Sequence, residues 1–353
     1  MSGGQETASP QVQTEPFLFD WDKVAGHRSQ QQELRCLLSA GRLPHALLFS
    51  GPEGVGKRLI GRLVAAAVLC ERPRDGAPCG VCPSCRALAA GGHPDYYELV
   101  PEVRGKGTRT IRIESIRELT ELASRYPVLS DRRVLLIDSA ETMNEAAANS
   151  LLKTLEEPPG QVTFILLTGA RSSLLDTIVS RCMPVAFGML AVEEMQPLLI
   201  ERGLPPEEAE ALAALSDGSV GRALALYEGG GLARRDEALD FLQGLSSLEM
   251  TEVWRRSEEM GSWEREALSE WLLYLNMLLR DLLVLHGDGG SPLLYHQDRR
   301  GELAALLQVF SEGQLLAMLA CVRELMRRLT ANVNLRLQLE GFLIRLRDII
   351  DIH

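Results

Sequence analysis

Ala46-Leu47-Leu48-Phe49-Ser50-Gly51-Pro52-Glu53-Gly54-Val55-Gly56-Lys57-Arg58-Leu59-Ile60-Gly61 sets an apolar run, a glycine-rich turn and a second apolar run in direct succession. That order predicts a buried strand, a phosphate-cradling loop and a helix within an α/β domain. In a G-x-x-x-x-G-K-[ST] loop the glycine backbones turn N–H groups toward phosphate oxygens and the lysine reaches the terminal phosphates. The last hydroxyl ligates the accompanying magnesium. Gly51, Gly54, Gly56 and Lys57 fit this pattern and are candidate nucleotide contacts. Arg58 breaks it, because a guanidinium has donors and no acceptor and cannot hold a metal cation. Two readings stay open: a loop that binds ATP or ADP without hydrolysing it, and a loop that keeps only the shape.

A second site points the same way. Val134-Leu135-Leu136-Ile137 reads as a buried strand ending in Asp138, where a magnesium-directed aspartate belongs. Hydrolysis then needs a carboxylate to polarise water, and the next residue is Ser139, a poor general base. Glu141 is expected too far along to take that role, near the start of the alanine-rich helix that follows. That helix, from Asn144 to Glu157, is stopped by Pro158-Pro159-Gly160, and residues 163–167 form another buried strand, closed by Thr168. Ser180-Arg181-Cys182 puts an arginine at the margin of the domain. A lone arginine is ordinarily a surface residue, but one presented to a neighbouring subunit's nucleotide can stabilise transition-state charge.

The chain has seven cysteines and no secretion signal, which favours thiols and metal ligands over disulfides. Cys70, Cys79, Cys82 and Cys85 follow a C-x8-C-x2-C-x2-C spacing that lets one short loop wrap a tetrahedral zinc ion, with Gly80 and Pro83 supplying tight turns. Four thiolates close the coordination shell, so the expected role is structural. His93 lies close enough to compete for a ligand place but is expected as a hydrogen-bonding residue, and Cys36, Cys182 and Cys321 as packing residues.

At 353 residues and 46% apolar content the chain is long enough for two or three cores. Its net charge of −11 argues against a strong grip on nucleic acid by this chain alone, since sequence-independent affinity comes from neutralising phosphates with Lys and Arg. Residues 1–16 are polar and read as a disordered tail with no signal peptide. The leucine-rich stretch 271–285 is interrupted by Asn276, Arg280 and Asp281 and is too short to span a bilayer, so it reads as a buried helix. Residues 104–112 carry four cations and no aromatic residue, the pattern of a solvated loop more than of a DNA contact.

Taken together, Gly41-Arg42-Leu43-Pro44-His45-Ala46, the altered phosphate loop, the four cysteines, His93-Pro94-Asp95, the helix ending Glu156-Glu157-Pro158-Pro159 and Ser180-Arg181-Cys182 resemble the delta-prime subunits of bacterial DNA polymerase III clamp loaders, members of the AAA+ class. The resemblance covers roughly residues 20 to 225. It implies a cytoplasmic stator in an ATP-driven hetero-pentamer with tau/gamma motor and delta subunits, which opens a sliding clamp and sets it on primer-template DNA. Such a subunit hydrolyses nothing itself, and its Ser-Arg-Cys arginine, here Arg181, completes a neighbour's ATP site. The rival reading, an active tau/gamma-type motor ATPase, requires Ser or Thr at position 58 and Glu at 139. A zinc-module nucleic-acid binder fits the acidic balance least.

The expected architecture is an α/β P-loop AAA+ domain over residues 17–188 with a zinc module at 70–85, a small helical lid at 189–232, and an all-α collar at 233–353. Gly218-Ser219-Val220-Gly221-Arg222 matches a second-sensor region, which makes Arg222 a candidate nucleotide contact or an ordinary helix-start arginine. Glu228-Gly229-Gly230-Gly231 reads as a flexible joint. Apolar spacing of three and four beyond it, as in Leu335, Leu339, Phe342 and Leu346, fits both a packed core and an oligomeric collar.

Overall fold

The computed structural model describes residues 17–104, 108–287, 293–329 and 335–351, and its chain divides into two compact units, Met1–Met189 and Leu190–His353. The tail 1–16 and the centre of the cationic stretch, 105–107, lie outside the described residues.

In the first unit the strands are β1 (Ala46–Ser50), β2 (Tyr96–Leu99), β3 (Glu102–Arg104), β4 (Thr108–Thr110), β5 (Arg133–Ile137), β6 (Val162–Thr168) and β7 (Met183–Ala186). Five of them form a parallel sheet in the order β2-β5-β6-β1-β7, and β3 pairs with β4 as a separate antiparallel hairpin. The helices are α1 (Arg28–Ser39), α2 (Lys57–Leu69), α3 (Pro83–Ala89), α4 (Ile113–Ser124), α5 (Glu145–Glu156) and the single turn α6 (Asp176–Val179).

Burial on both faces explains the unbroken apolar runs. Every residue of β1, β5 and β6 is buried, as in a parallel sheet covered by helices. One face packs against Ile60, Leu63 and Val64 of α2, and the other against Ile116 of α4 and Leu151 and Leu155 of α5. Gly61 lets α2 lie close, since a Cβ there would stand 3.2 Å from Leu136 Cδ1. The Asn144 side chain caps α5 by accepting from Ala147 N at 2.8 Å, an interaction worth about 1 kcal/mol. The register pairs Ser50 with Thr168 and Leu99 with Ile137, which gathers the carboxyl ends of β2, β5, β6 and β1 on one rim. Parallel sheets bind their ligands on that rim.

The second unit is helical among its described residues: α7 (Val192–Glu201), α8 (Pro206–Leu215), α9 (Val220–Glu228), α10 (Leu232–Gly244), α11 (Met250–Gly261), α12 (Arg265–Gly287), α13 (Arg300–Leu306), α14 (Glu312–Leu329) and α15 (Leu335–Asp351). A single apolar cluster runs from Leu190 to Leu346. The glycine run at 229–231, expected as a flexible joint, is instead a packed turn between α9 and α10. Gly231 O accepts from the Tyr274 hydroxyl at 3.2 Å, and Gly229 abuts the Glu270 carboxylate, because α12 crosses beneath the turn. The stretch 271–285 is the buried core of α12, and no described helix is long and apolar enough to cross a membrane.

Candidate functional site

The glycine-rich turn joins the end of β1 to α2 as its spacing predicts. Gly54 and Gly56 adopt positive φ of 73° and 101°, a region open to glycine without strain. A Cβ at Gly51 would run into the Phe187 carbonyl. Lys57 does not reach outward. Its Nζ donates to the carbonyls of Gly51 at 2.6 Å and Pro52 at 2.5 Å, inside its own loop, and the residue is 8% exposed. Burial pulls its ammonium below the usual range, against the fields of Glu141, Asp138 and Glu53.

Arg58, in the first turn of α2, is turned across the rim to β2. Its Nε donates to Glu98 Oε1 and its Nη1 stands 3.9 Å from Asp138 Oδ2. Glu98 also accepts from Arg62 Nε at 2.9 Å and from the Tyr96 hydroxyl at 2.8 Å. Burial pushes the Asp138 carboxyl above its usual range, and the Arg58 charge opposes that push. The residues therefore do not fit a magnesium–nucleotide. The position of the metal-binding hydroxyl carries a cation, and that cation lies against the very aspartate the metal would need.

Ser139 takes φ 52°, a left-handed conformation uncommon outside glycine, and this sharp turn corrects the expectation for Glu141. Glu141 is not at the start of α5. It sits in a 3-10 turn, Ala140–Thr142, and reaches back to the rim, where its Oε1 accepts from Gly169 N at 3.0 Å. Thr168 is buried beside it, with its Oγ1 accepting from Ala170 N at 3.1 Å.

The four spaced cysteines converge. Their sulfurs all lie within 4.8 Å of one another, and Cys70 and Cys82 Sγ are 3.9 Å apart. Tetrahedral Zn–S bonds near 2.3 Å place sulfurs about 3.8 Å apart, whereas a disulfide needs about 2.05 Å. Backbone N–H groups of Cys79, Cys82 and Cys85 donate to Cys70, Cys79 and Cys82 Sγ at 3.2, 3.3 and 3.4 Å, a shell suited to thiolates. Chiefly through the Val81 N–H, the Cys79 thiol is drawn down to about 6, while burial pushes Cys85 up. The cluster fits a soft cation such as zinc, which would take all four as thiolates. Cys36, expected to pack, is exposed because its side of α1 faces solvent; Cys182 is buried and Cys321 half-buried.

His93 is not a ligand. Its Nδ1 accepts from Asp95 N at 3.0 Å, so its Nε2–H points at Ser84 Oγ at 2.7 Å, and Ser84 in turn donates to Leu69 O at 2.7 Å. With Nε2 protonated the imidazole cannot take the serine proton, so this trio anchors the cysteine module and is no nucleophilic site. Asp95 is fully buried and accepts from Val128, Leu129 and Ser130 N at 2.8, 2.7 and 3.0 Å and from Arg133 Nη2 at 3.1 Å.

Arg181 follows α6 at the surface. Its Nη1 donates to Thr177 O at 2.8 Å and its Nη2 pairs with Glu156 at the end of α5. The two side chains are 33% and 48% exposed, and an ion pair so wet is worth only about 0–1 kcal/mol, so Glu156 holds the guanidinium weakly. In the second unit, Arg222 Nη1 pairs with Asp217 Oδ2 at 2.7 Å, in the turn between α8 and α9.

A family model described as DNA polymerase III, delta subunit, matches residues 26–191. The delta-prime subunit of DNA polymerase III from Pseudomonas aeruginosa is 33% identical over 305 residues, 85% of this chain and 91% of that protein. Its counterpart from Escherichia coli is 32% identical over 323 residues, 90% and 93% of the two chains. The chain belongs to the delta-prime family. The tau subunit of Escherichia coli is 37% identical, but over 197 residues, 54% of this chain and 30% of that protein. Likeness to delta-prime thus spans most of the chain, whereas likeness to tau covers about half of it.

The sequence marks the loop and the four cysteines that the structure brings together, and leaves Glu98 unmarked. Nothing marked Glu98 beyond an acid in a strand; only the pairing of β2 with β5 brings it to the rim. The His93-Pro94-Asp95 motif likewise gives no sign that Asp95 is a buried anchor.

Proposed function

We propose that this chain is the delta-prime subunit of a clamp loader, a non-hydrolysing partner that helps an ATP-driven assembly load a sliding clamp onto primed DNA. The observation that carries the reading is the phosphate loop itself: Arg58 lies against Asp138 in place of a metal-binding hydroxyl, in a chain that matches delta-prime relatives over 85–90% of its length. An active motor would need the magnesium site that Arg58 closes.

Within this reading Arg181 acts on a neighbouring tau/gamma motor's nucleotide, leaving Glu156 to do so. Residues 17–188 serve as the AAA+ module, 189–232 as a lid and 233–353 as a collar toward tau/gamma and delta in a hetero-pentamer. The four cysteines hold one structural zinc ion. The glycines, Lys57 and Asp138 retain the outline of a nucleotide site, and Arg222 that of a second sensor, without a hydrolytic role.

The test is reconstitution with motor and delta subunits and measurement of clamp-stimulated ATP turnover. The isolated chain is expected to show none. Arg181→Ala should slow the adjoining motor site on the order of 10³-fold or more while the assembly still forms. Full activity in the Arg181→Ala assembly would remove the trans role, and magnesium-dependent turnover by the isolated chain would favour the motor reading.

A further inference from the structure

Glu98, the penultimate residue of β2, and Asp138, just past the end of the adjacent parallel β5, converge on one guanidinium. A pair of carboxylates at one rim is the kind of donor set that oxygen-seeking divalent cations take. Here the charge is met from within the chain. Arg58 is one third exposed and spans both acids, and Arg62, 2% exposed, backs Glu98 with Nη2 at 2.8 Å from Oε2. Lys57 likewise satisfies itself on the loop carbonyls of Gly51 and Pro52. Both cations of the loop, Lys57 and Arg58, are thus committed to oxygens of the protein itself.

We propose that Arg58 is a resident replacement for the divalent cation, a guanidinium that ties the first turn of α2 to the tips of β2 and β5 so that the loop keeps its shape with neither metal nor nucleotide. A planar fork of donors suits this task, because it addresses two carboxylates at once and never loses its charge near neutral pH. Two consequences follow from charge balance. The native chain has no vacant place for a divalent cation beside Asp138. Deleting the guanidinium leaves Glu98 and Asp138 facing each other with less compensation, and a divalent cation then enters where Arg58 was. The inference rests on contacts within this chain and stands whether or not Arg181 serves a neighbour.

The experiment compares the full chain with Arg58→Thr and with Arg58→Thr/Glu98→Gln, titrating Mn²⁺ by electron paramagnetic resonance and recording thermal unfolding with and without Mn²⁺. Arg58→Thr is expected to bind about one more Mn²⁺ than the native chain, to melt roughly 5 °C lower without metal, and to recover most of that loss with it. Glu98→Gln in that background should abolish both gains. An Arg58→Thr protein that binds no additional Mn²⁺ overturns the proposal. Should that variant fail to fold, the native chain decides alone: saturable one-to-one binding of Mn²⁺–ADP overturns the proposal, and its absence at millimolar ligand supports it.

Discussion

Cys85→Ser is expected to strip the bound metal from the purified chain and lower its melting temperature by roughly 10 °C. Cys85 is fully buried, and its neighbour Ser84 is the hub of the hydrogen bonds to Leu69 and His93. The cysteines pack only with Phe19 in a small apolar cluster of their own, so an ion held by the four thiols would contribute much of what fixes this loop. Structural zinc sites contribute about 10–16 kcal/mol in isolated fingers. Losing about a third of that is roughly 4 kcal/mol, and each kcal/mol lowers the melting temperature of a unit this size by about 2–4 °C. Metal analysis and calorimetry of both proteins supply the check. Native protein that is free of zinc, or a variant that melts with it, would show that the thiols are merely packed together.

Asp95→Ala should cost about 3–5 kcal/mol, the toll of leaving a buried charge without its partner. Arg133 is 3% exposed and would lose its carboxylate, and the N–H groups of Val128, Leu129 and Ser130 would lose their acceptor at once. The exposed Arg125–Glu121 pair, 62% and 68% accessible, is the control, and Glu121→Ala should change little. Equal melting temperatures for the two variants would defeat the argument. The same carboxylate gives a pH signature. Burial works to raise the Asp95 value, but the three N–H donors and Arg133 outweigh it, so the folded value lies below the ordinary 3.8. A depressed folded value means stability that is complete above about pH 4 and lost as pH falls through the lower folded value. Acid melts of the native chain should therefore steepen below pH 4 more than those of Asp95→Ala.

The legible parts of the site were those whose chemistry is local. Strand, glycine turn and helix are consecutive in the chain, so their order could be read directly, and the thiol spacing is set within one loop. The resemblance added Arg181 and the delta-prime reading, and relatives at 32–33% identity bear the family out. The glycine run at 229–231 was misread because glycine reports permitted backbone angles and says nothing about α12 packing beneath it. Glu141 was misplaced because a left-handed serine turn at Ser139 leaves little mark on sequence pattern.

The sequence by itself determined that position 58 has no acceptor for a metal, that position 139 lacks a carboxylate, and that four thiols can meet, since each is a property of a residue or of a short spacing. What became of those groups was decided only by the fold. Arg58 finds Glu98 forty residues away, and Glu141 finds Gly169 twenty-eight away, because a parallel sheet orders its strands by crossover and not by chain position. Partners across a rim are set by that order, and the strength of each ionic contact by the burial that comes with it.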